Sequence, residues 1–305
     1  MTACPSCGGK NTRVIGPIPF TNLFAGKISG EAAIRSSLYR CFSCRLRFRW
    51  PRLPADIMDR LYLSDPEGSL QYQKRNRTDW KIAEKWLAGF PRERSILDIG
   101  CADGEFLNSL NWNWKKFGIE INEKATGAAQ GRGVSIISRN MNETNGSKYM
   151  FGAVTAFDVI EHVENPALFF KSLLRMTRPG GWVILSSGNS ESPSWRLMGG
   201  GYWYCLFSDH ISFINEKWCR HEAGKMDAEV VAIEYFSHAD RTGLLSFGAD
   251  LVKNVLYRIF PGLFGAMRKR GFGGIDLKRN PELACSPPYW KTAKDHLIVL
   301  FRKKS

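Results

Sequence analysis

The sequence has no run of about 18 uninterrupted apolar residues, the length that a membrane-crossing helix needs, although 44% of its 305 residues are hydrophobic. The opening MTACPSCGGK lacks the apolar stretch of a secretory leader. Internal repeats and low-complexity segments are missing as well, so nothing in the pattern argues against an ordinary globular core plus a small accessory module. Acidic residues are scarce: 29 Asp and Glu stand against 43 Lys and Arg, a formal charge of +14. That imbalance favours an anionic partner, such as nucleic acid, nucleotide-sugar, phospholipid or glycan phosphate. The expectation is a soluble cytoplasmic protein, with peripheral contact at the inner face of the membrane as its variant.

Four of the eight cysteines form spaced pairs. Cys4-Pro-Ser-Cys7 and Cys41-Phe-Ser-Cys44 are CxxC knuckles separated by 33 residues, positions 8 to 40. Two intervening residues let both thiolates of a knuckle face one ion, and two knuckles complete a tetrahedral site. The separation exceeds the usual interval of about 15–20 residues, so a hairpin or loop is expected to fill it. Zinc is the predicted occupant, with unligated thiols and a redox pair as the competing readings. Four thiolates leave no open coordination position, which makes the zinc structural. Cys101, Cys205, Cys219 and Cys285 are isolated and read as core residues.

The chain divides into a cysteine-bearing segment 1–52, a helical connector 53–94 and a longer unit 95–305 with an insertion at about 239–290. Apolar spacing at Ile57, Met58, Leu61 and Tyr62, and again from Trp80 to Leu87, predicts helices in the connector. From Ser95 short apolar strands alternate with helices, which implies an α/β fold with a mainly parallel sheet. Seven strands are predicted, at 95–99, 116–120, 134–137, 153–159, 182–186, 229–235 and 296–301. Helices are predicted at 106–110, 123–130, 166–176 and 216–226.

The first predicted strand runs through Asp98 into a turn containing Gly100 and Gly104. Glycines there let the backbone bend sharply and approach a ligand. The second strand ends at Glu120, 16 residues beyond Gly104, where a carboxylate can accept both ribose hydroxyls. Positions 100 to 105 read GCADGE, so the GxGxxG fingerprint of a nicotinamide enzyme is absent.

Asp98, Gly100, Asp103, Gly104 and Glu120 resemble the first motifs of the class I S-adenosylmethionine-dependent methyltransferases. Asp158-Val-Ile-Glu-His162 and Thr177-Arg-Pro-Gly-Gly181 resemble that family's fourth-strand loop and the turn before its fifth strand. The whole chain is similar to the subgroup with an N-terminal zinc ribbon, a helical connector and a methyltransferase domain. Ala102 stands where a glycine is commonest, and Gly152 stands where an acid is common. The resemblance implies a Rossmann-like seven-stranded sheet and S-adenosylmethionine as cofactor. It also implies a binding set of Asp98, Gly100, Ala102, Asp103, Gly104, Glu120, Asn140 and Asp158, with Asn140 beside the adenine.

Methyl transfer from a sulfonium is an in-line displacement, and a base is needed only if the acceptor must lose a proton. His162 and His210 follow strand ends, where ligands of such sheets bind, and are the predicted bases, with Asp209 as a candidate to orient His210. Trp195 and the Gly201–Tyr204 aromatics are either an acceptor wall or packing. Ser286-Pro-Pro-Tyr289 matches an amine-gripping motif but sits far from the fourth strand, so it reads as a rigid turn.

The acceptor implied by the resemblance is a sugar or other small molecule in glycan or surface-polysaccharide synthesis. An RNA methyltransferase is the alternative, carried by Arg40, Arg45, Arg47, Arg49, Arg52, Lys74, Arg75 and Arg77 interleaved with Phe42, Phe48 and Trp50. A non-catalytic cofactor-binding scaffold is the third reading. In the insertion, Phe247, Leu251, Val252, Val255, Leu256, Ile259 and Phe260 fall on one helical face, followed by Arg268-Lys-Arg270. Residues 247–270 therefore form either a lid packed on the sheet or a second subunit, or a helix lying on an anionic membrane.

Overall fold

The N-terminal segment forms short strands: β1 (Thr12–Thr21), the two-residue pair β2 (Leu23–Phe24) and β3 (Lys27–Ile28), β4 (Ile34–Cys41) and β5 (Arg47–Trp50). The connector supplies α1 (Ala55–Leu63) and α2 (Thr78–Ala88). Strands and helices then alternate: β6 (Ser95–Ile99), α3 (Glu105–Ser109), β7 (Lys115–Ile119), α4 (Glu123–Gly131), β8 (Ser135–Ser138), β9 (Phe151–Phe157), α5 (Pro166–Met176) and β10 (Thr177–Gly188). The remainder comprises α6 (Pro193–Met198), β11 (Ser212–Phe213), α7 (Glu216–Lys225), β12 (Ala228–Phe236), α8 (Leu244–Ile259), α9 (Pro261–Lys269) and β13 (His296–Lys303). This computed structural model describes residues 2–25, 27–63, 77–90, 94–110, 113–141, 150–238, 243–270 and 286–305. Lys74, Arg75, Cys285 and parts of the insertion lie outside those residues.

All seven strands expected after Ser95 form, and they join one sheet in the order β12-β13-β10-β9-β6-β7-β8. The pairs β10–β9, β9–β6, β6–β7 and β7–β8 are parallel. β13 alone is reversed, antiparallel to both β10 and β12. Strand residues alternate between two cores, as a sheet covered on both faces requires. Leu97, Val154, Val183 and Val299 pack with α5 and α7, whereas Ile96, Ala153, Ile184 and Ile298 pack with α2, α3 and α4. Helix starts are set locally: Asn165 accepts from the Leu168 N–H ahead of Pro166, and Asn215 accepts from the Trp218 N–H.

The cysteine-bearing segment does not stand apart from this sheet. Its own sheet runs β1-β4-β5-β11, and the last strand comes from residues 212–213. Cys4, Cys41, Cys44, Leu46 and Phe48 belong to the same buried cluster as α5, α7 and Trp218. Two expected basic residues of the segment are core rather than solvated face. Arg49 is 1% exposed and donates to His210 O (3.0 Å), Ser36 Oγ (2.7 Å), Phe207 O (2.8 Å) and Cys205 O. Arg47 is buried too. A guanidinium out of water is tolerated only when its donors are paired, and Arg49 meets that condition. Arg40 and Arg52 pair with Glu191 and Glu164, and Phe48 is buried. The continuous arginine and aromatic stripe that an RNA surface needs is therefore broken up.

Candidate active site

The turn after β6 has three left-handed residues, Gly100 (φ +71°), Ala102 (φ +47°) and Gly104 (φ +76°). A Cβ on Gly100 would lie 2.8 Å from Val159 Cγ2, and one on Gly104 would lie 3.0 Å from Val134 Cγ2. Both positions thus require glycine on space as well as on φ. The conformation also explains why glycine would suit position 102, where alanine carries a left-handed penalty of about 1–2 kcal/mol. Ala102→Gly is accordingly expected to stabilise the fold by about 0.5–1 kcal/mol after the added flexibility of the unfolded chain is subtracted. The urea midpoint measures this, and a lower midpoint would contradict it.

Glu120 ties the turn to the end of β7: its Oε2 accepts from Ala102 N (2.9 Å) and its Oε1 from Asn122 N (2.8 Å). Burial pushes its carboxyl upward, against three backbone N–H groups that favour the charge. Asp98 is also buried, which raises its pKa to about 7 while a 2.7 Å bond from Thr155 Oγ1 opposes the shift. Asp98, Gly100, Ala102 and Asp103 line one hollow together with Arg77 and Phe157. Asp103 is also paired with Arg132 at 2.5 Å. Gly104 caps α3. Asn140 lies outside that hollow's lining, exposed, with its backbone closing on Ser138 Oγ.

Asp158, at φ +52°, opens the loop after β9. Its Oδ2 lies 2.6 Å from Arg77 Nη2, and Arg77 also grips Asp79 at 2.5 and 3.0 Å. Burial would raise the Asp158 carboxyl, but Arg77 and the imidazoles of His238 and His296 outweigh it and hold it well below the usual carboxylate range. His238 Nε2 is 4.0 Å from Asp158 Oδ2, and the His238 and His296 rings are 4.6 Å apart. His296 is 3% exposed, and its Nδ1 lies 2.8 Å from Asp295 Oδ1. Asp295 Oδ2 in turn accepts from Tyr202 Oη (2.5 Å) and Trp203 Nε1 (3.2 Å). Burial works against charge on His296, but Asp295 dominates and raises its pKa. Among the described residues, Asp158 Oδ1 and His238 Nε2 are buried with no hydrogen-bond partner.

The expected bases occupy a neighbouring position. His162 Nδ1 lies 2.9 Å from Tyr62 Oη and 3.3 Å from Asp209 Oδ2. Burial disfavours its charge, yet Asp209, Glu161 and Asp158 carry the pKa up to about 9. His210 is 4.8 Å away ring to ring, with Nδ1 3.0 Å from Tyr204 O. Burial and the His162 charge push it down to about 3. Asp209 thus serves His162 rather than its neighbour His210. Trp195, Tyr202 and Tyr204 are buried packing, with two hydroxyls put to use: Tyr202 on Asp295 and Tyr204 on Glu161. Four of the five histidines in the chain gather here; the two near Asp158 and Asp295 are those that sequence patterning did not single out, and Arg77, expected on an RNA-binding stripe, lies instead against Asp158 and Asp79.

The family profile described as "Methyltransferase domain" matches residues 62–233, more than half of the chain. The chain belongs to the class I S-adenosylmethionine-dependent methyltransferases. The ubiquinone biosynthesis O-methyltransferase of Dechloromonas aromatica (strain RCB) is 28% identical over 196 residues, 60% of this chain and 83% of its own length. The enzyme of the same name from Aromatoleum aromaticum is 29% identical over 198 residues, 59% and 81% of the two chains. Among solved structures, YcgJ of Bacillus subtilis has a TM-score of 0.50 at 13% identity and covers 74% of this chain and 98% of its own. A chain of the Haloferax volcanii complex between the Trm112 activator and a methyltransferase also scores 0.50, at 12% identity, covering 74% and 91%. At such identities the structures speak for the fold of this methyltransferase alone. The residues around the turn fit the family's cofactor, since a buried carboxylate ends the second strand and the glycine positions admit no side chain.

Proposed function

We propose that this methyltransferase transfers a methyl group to a hydroxyl oxygen of a small-molecule acceptor, with His296 as the base that takes the hydroxyl proton. The observation that carries this is the buried Asp295–His296 pair beside Asp158 and His238, adjoining the cofactor hollow at the carboxyl edge of the sheet. Bound S-adenosylmethionine supplies an electrophilic methyl on a sulfonium. Glu120 accepts the ribose hydroxyls, and Arg77, lining the hollow, offers its guanidinium to the cofactor carboxylate. The imidazole of His296 removes the acceptor proton through Nε2, and Asp295 stabilises the resulting imidazolium through Nδ1. The unpartnered Asp158 Oδ1 and His238 Nε2 are left for hydrogen bonds to the acceptor. Relatives named O-methyltransferases support oxygen as the accepting atom. A sugar hydroxyl, the class implied by the sequence resemblance, satisfies the same chemistry.

The experiment is a panel of sugar and phenolic hydroxyls and of amines, with labelled cofactor and product isolation. Methylation confined to amines, or none on any hydroxyl, would sink the reading. A companion prediction concerns the cofactor: Glu120→Ala should weaken S-adenosylmethionine binding by about 1.5–3 kcal/mol, the usual worth of charged hydrogen bonds. Unchanged calorimetric affinity would move the ribose site elsewhere.

The four knuckle cysteines are assigned to one structural zinc. Their ligand atoms lie within 4.8 Å of one another, with Cys4 and Cys44 sulfurs 3.5 Å apart and Cys7 and Cys41 sulfurs 3.6 Å apart. A tetrahedron with zinc–sulfur arms of about 2.3 Å has edges of roughly 3.8 Å, so the cluster fits the ion. Residues 1–52 are accordingly assigned as the ribbon, 53–94 as the connector and 95–305 as the methyltransferase unit, with β11 shared between the first and the last.

A further inference from the structure

The α8–α9 hairpin presents an apolar face that no part of the described chain covers. Among the described residues, eight of the twenty exposed large hydrophobics lie between Leu245 and Met267, a small fraction of the sequence. Val252, Leu256, Ile259, Phe260, Leu263 and Met267 are each 40–59% exposed, and an apolar cleft of about 500 Å³ runs between the two helices. The face expected to pack as a lid is split. Leu251, Tyr257 and Phe264 turn inward onto Trp195, Tyr202 and Trp290, while the rest point outward. The hairpin is nevertheless firmly seated. Asp250 accepts from Thr292 N and Oγ1 (3.0 Å each), Lys253 donates to Tyr289 O (3.0 Å) and Arg268 to Ser286 O (2.7 Å).

Charge decides what covers the face. Asp250 is the only acid in residues 244–270, and it is buried. Arg258, Lys269 and Arg270 are exposed. A second copy of the chain would bring these cations against their own kind, whereas anionic headgroups complement them. Exposed apolar side chains on helices whose own exposed charges are all cationic are what a helix pair half-sunk in a bilayer surface presents. None of the helices among the described residues is long and apolar enough to cross a membrane.

We propose that the α8–α9 hairpin docks this methyltransferase onto an anionic lipid bilayer, placing its acceptor side against the membrane. Resting on the hydroxyl reading above, the location selects an acceptor borne by a lipid. The Asp250 and Lys253 bonds tie the hairpin to residues 289–292, just ahead of the Asp295–His296 pair, so the docked face and the acceptor groups share one support.

The test uses the full chain and co-sedimentation with vesicles of phosphatidylglycerol and phosphatidylcholine, or of phosphatidylcholine alone, at low and high salt. Binding is expected to the anionic vesicles, weaker at high salt. Ile259→Glu with Leu263→Glu should abolish it without lowering the unfolding temperature, because both side chains face outward. Lys269→Gln with Arg270→Gln should weaken it about thirty-fold. The proposal falls if the protein stays in the supernatant at low salt, or if the Ile259 and Leu263 substitutions leave binding intact, which would reduce it to the bulk positive charge. It also falls if sedimentation velocity finds a dimer that those substitutions split. Vesicle binding needs no acceptor: its loss leaves hydroxyl methylation of soluble acceptors standing, and failure of that methylation leaves the docking result readable.

Discussion

His296→Ala is expected to lower turnover by about 10²–10⁴, the usual worth of a positioned general base, while S-adenosylmethionine affinity stays near wild type. His296 is not among the residues lining the hollow, and Asp158 reaches that lining only through its ion pair with Arg77, so the loss should fall on kcat more than on cofactor binding. A pH profile separates this from mere structural damage. The base works when neutral, so activity falls as pH drops through its pKa. Asp295 raises that pKa above the ordinary 6.5, with Asp158 and Asp79 adding to the effect. The acidic limb of kcat/KM should therefore lie above pH 6.5 and move downward in Asp295→Asn. His238, whose own pKa is pushed to about 4 by burial and by His296, stays neutral throughout this window. His162→Gln should retain more activity than His296→Ala. The opposite ranking, or an acidic limb unmoved in Asp295→Asn, would return the role to the fourth-strand loop.

Replacing Cys41 and Cys44 with serine is expected to remove one zinc per chain and leave little folded protein. Structural zinc contributes on the order of 10–16 kcal/mol in small ribbons, comparable with the whole stability of a domain, about 5–15 kcal/mol. Here the cluster is also part of the main core, where Cys4, Cys41 and Cys44 pack with Leu46, Phe48, Ile214 and Trp218. Trp218 Nε1 donates to Ser6 Oγ at 3.0 Å inside the first knuckle. Disruption should consequently reach α7 and lower the unfolding temperature of the entire chain, not of the ribbon alone. Elemental analysis and thermal unfolding with and without chelator provide the check. A metal-free wild-type protein, or a double variant that melts like wild type, would remove zinc from the description.

The sheet was legible because its strands are short apolar runs between helices of clear periodicity, and those signals are local. The glycine turn and Glu120 were legible for the same reason: strand, turn, helix and second-strand acid follow one another in the chain. The side proposed for the acceptor was not. His296 is the first residue of β13, and the rule that ligands bind beyond strand ends points away from a residue at a strand start. Only the reversal of β13, where Gly188 and Phe236 both pair with His296, brings that start to the productive edge. Arg77 stands in a segment whose pattern announces a connector, and its charge suggested only an RNA-binding stripe. The arginines of the N-terminal segment show the converse failure: Arg47 and Arg49 sit in a basic string interleaved with aromatics, and nothing local reveals that the backbone of residues 205–210 will surround Arg49.

The late arrival of β11 sets an order on synthesis. Phe48 pairs with Ser212 and Arg47 with Phe213, so the ribbon sheet cannot close until roughly two thirds of the chain has left the ribosome. Until then β5 keeps an open edge, and Arg49 lacks three of its backbone carbonyl partners. Pairings so distant in sequence slow folding and leave a nascent edge exposed to wrong partners. Zinc captured early by the two knuckles would hold β4 and β5 in register through that interval, a service to the growing chain in addition to its weight in the finished core.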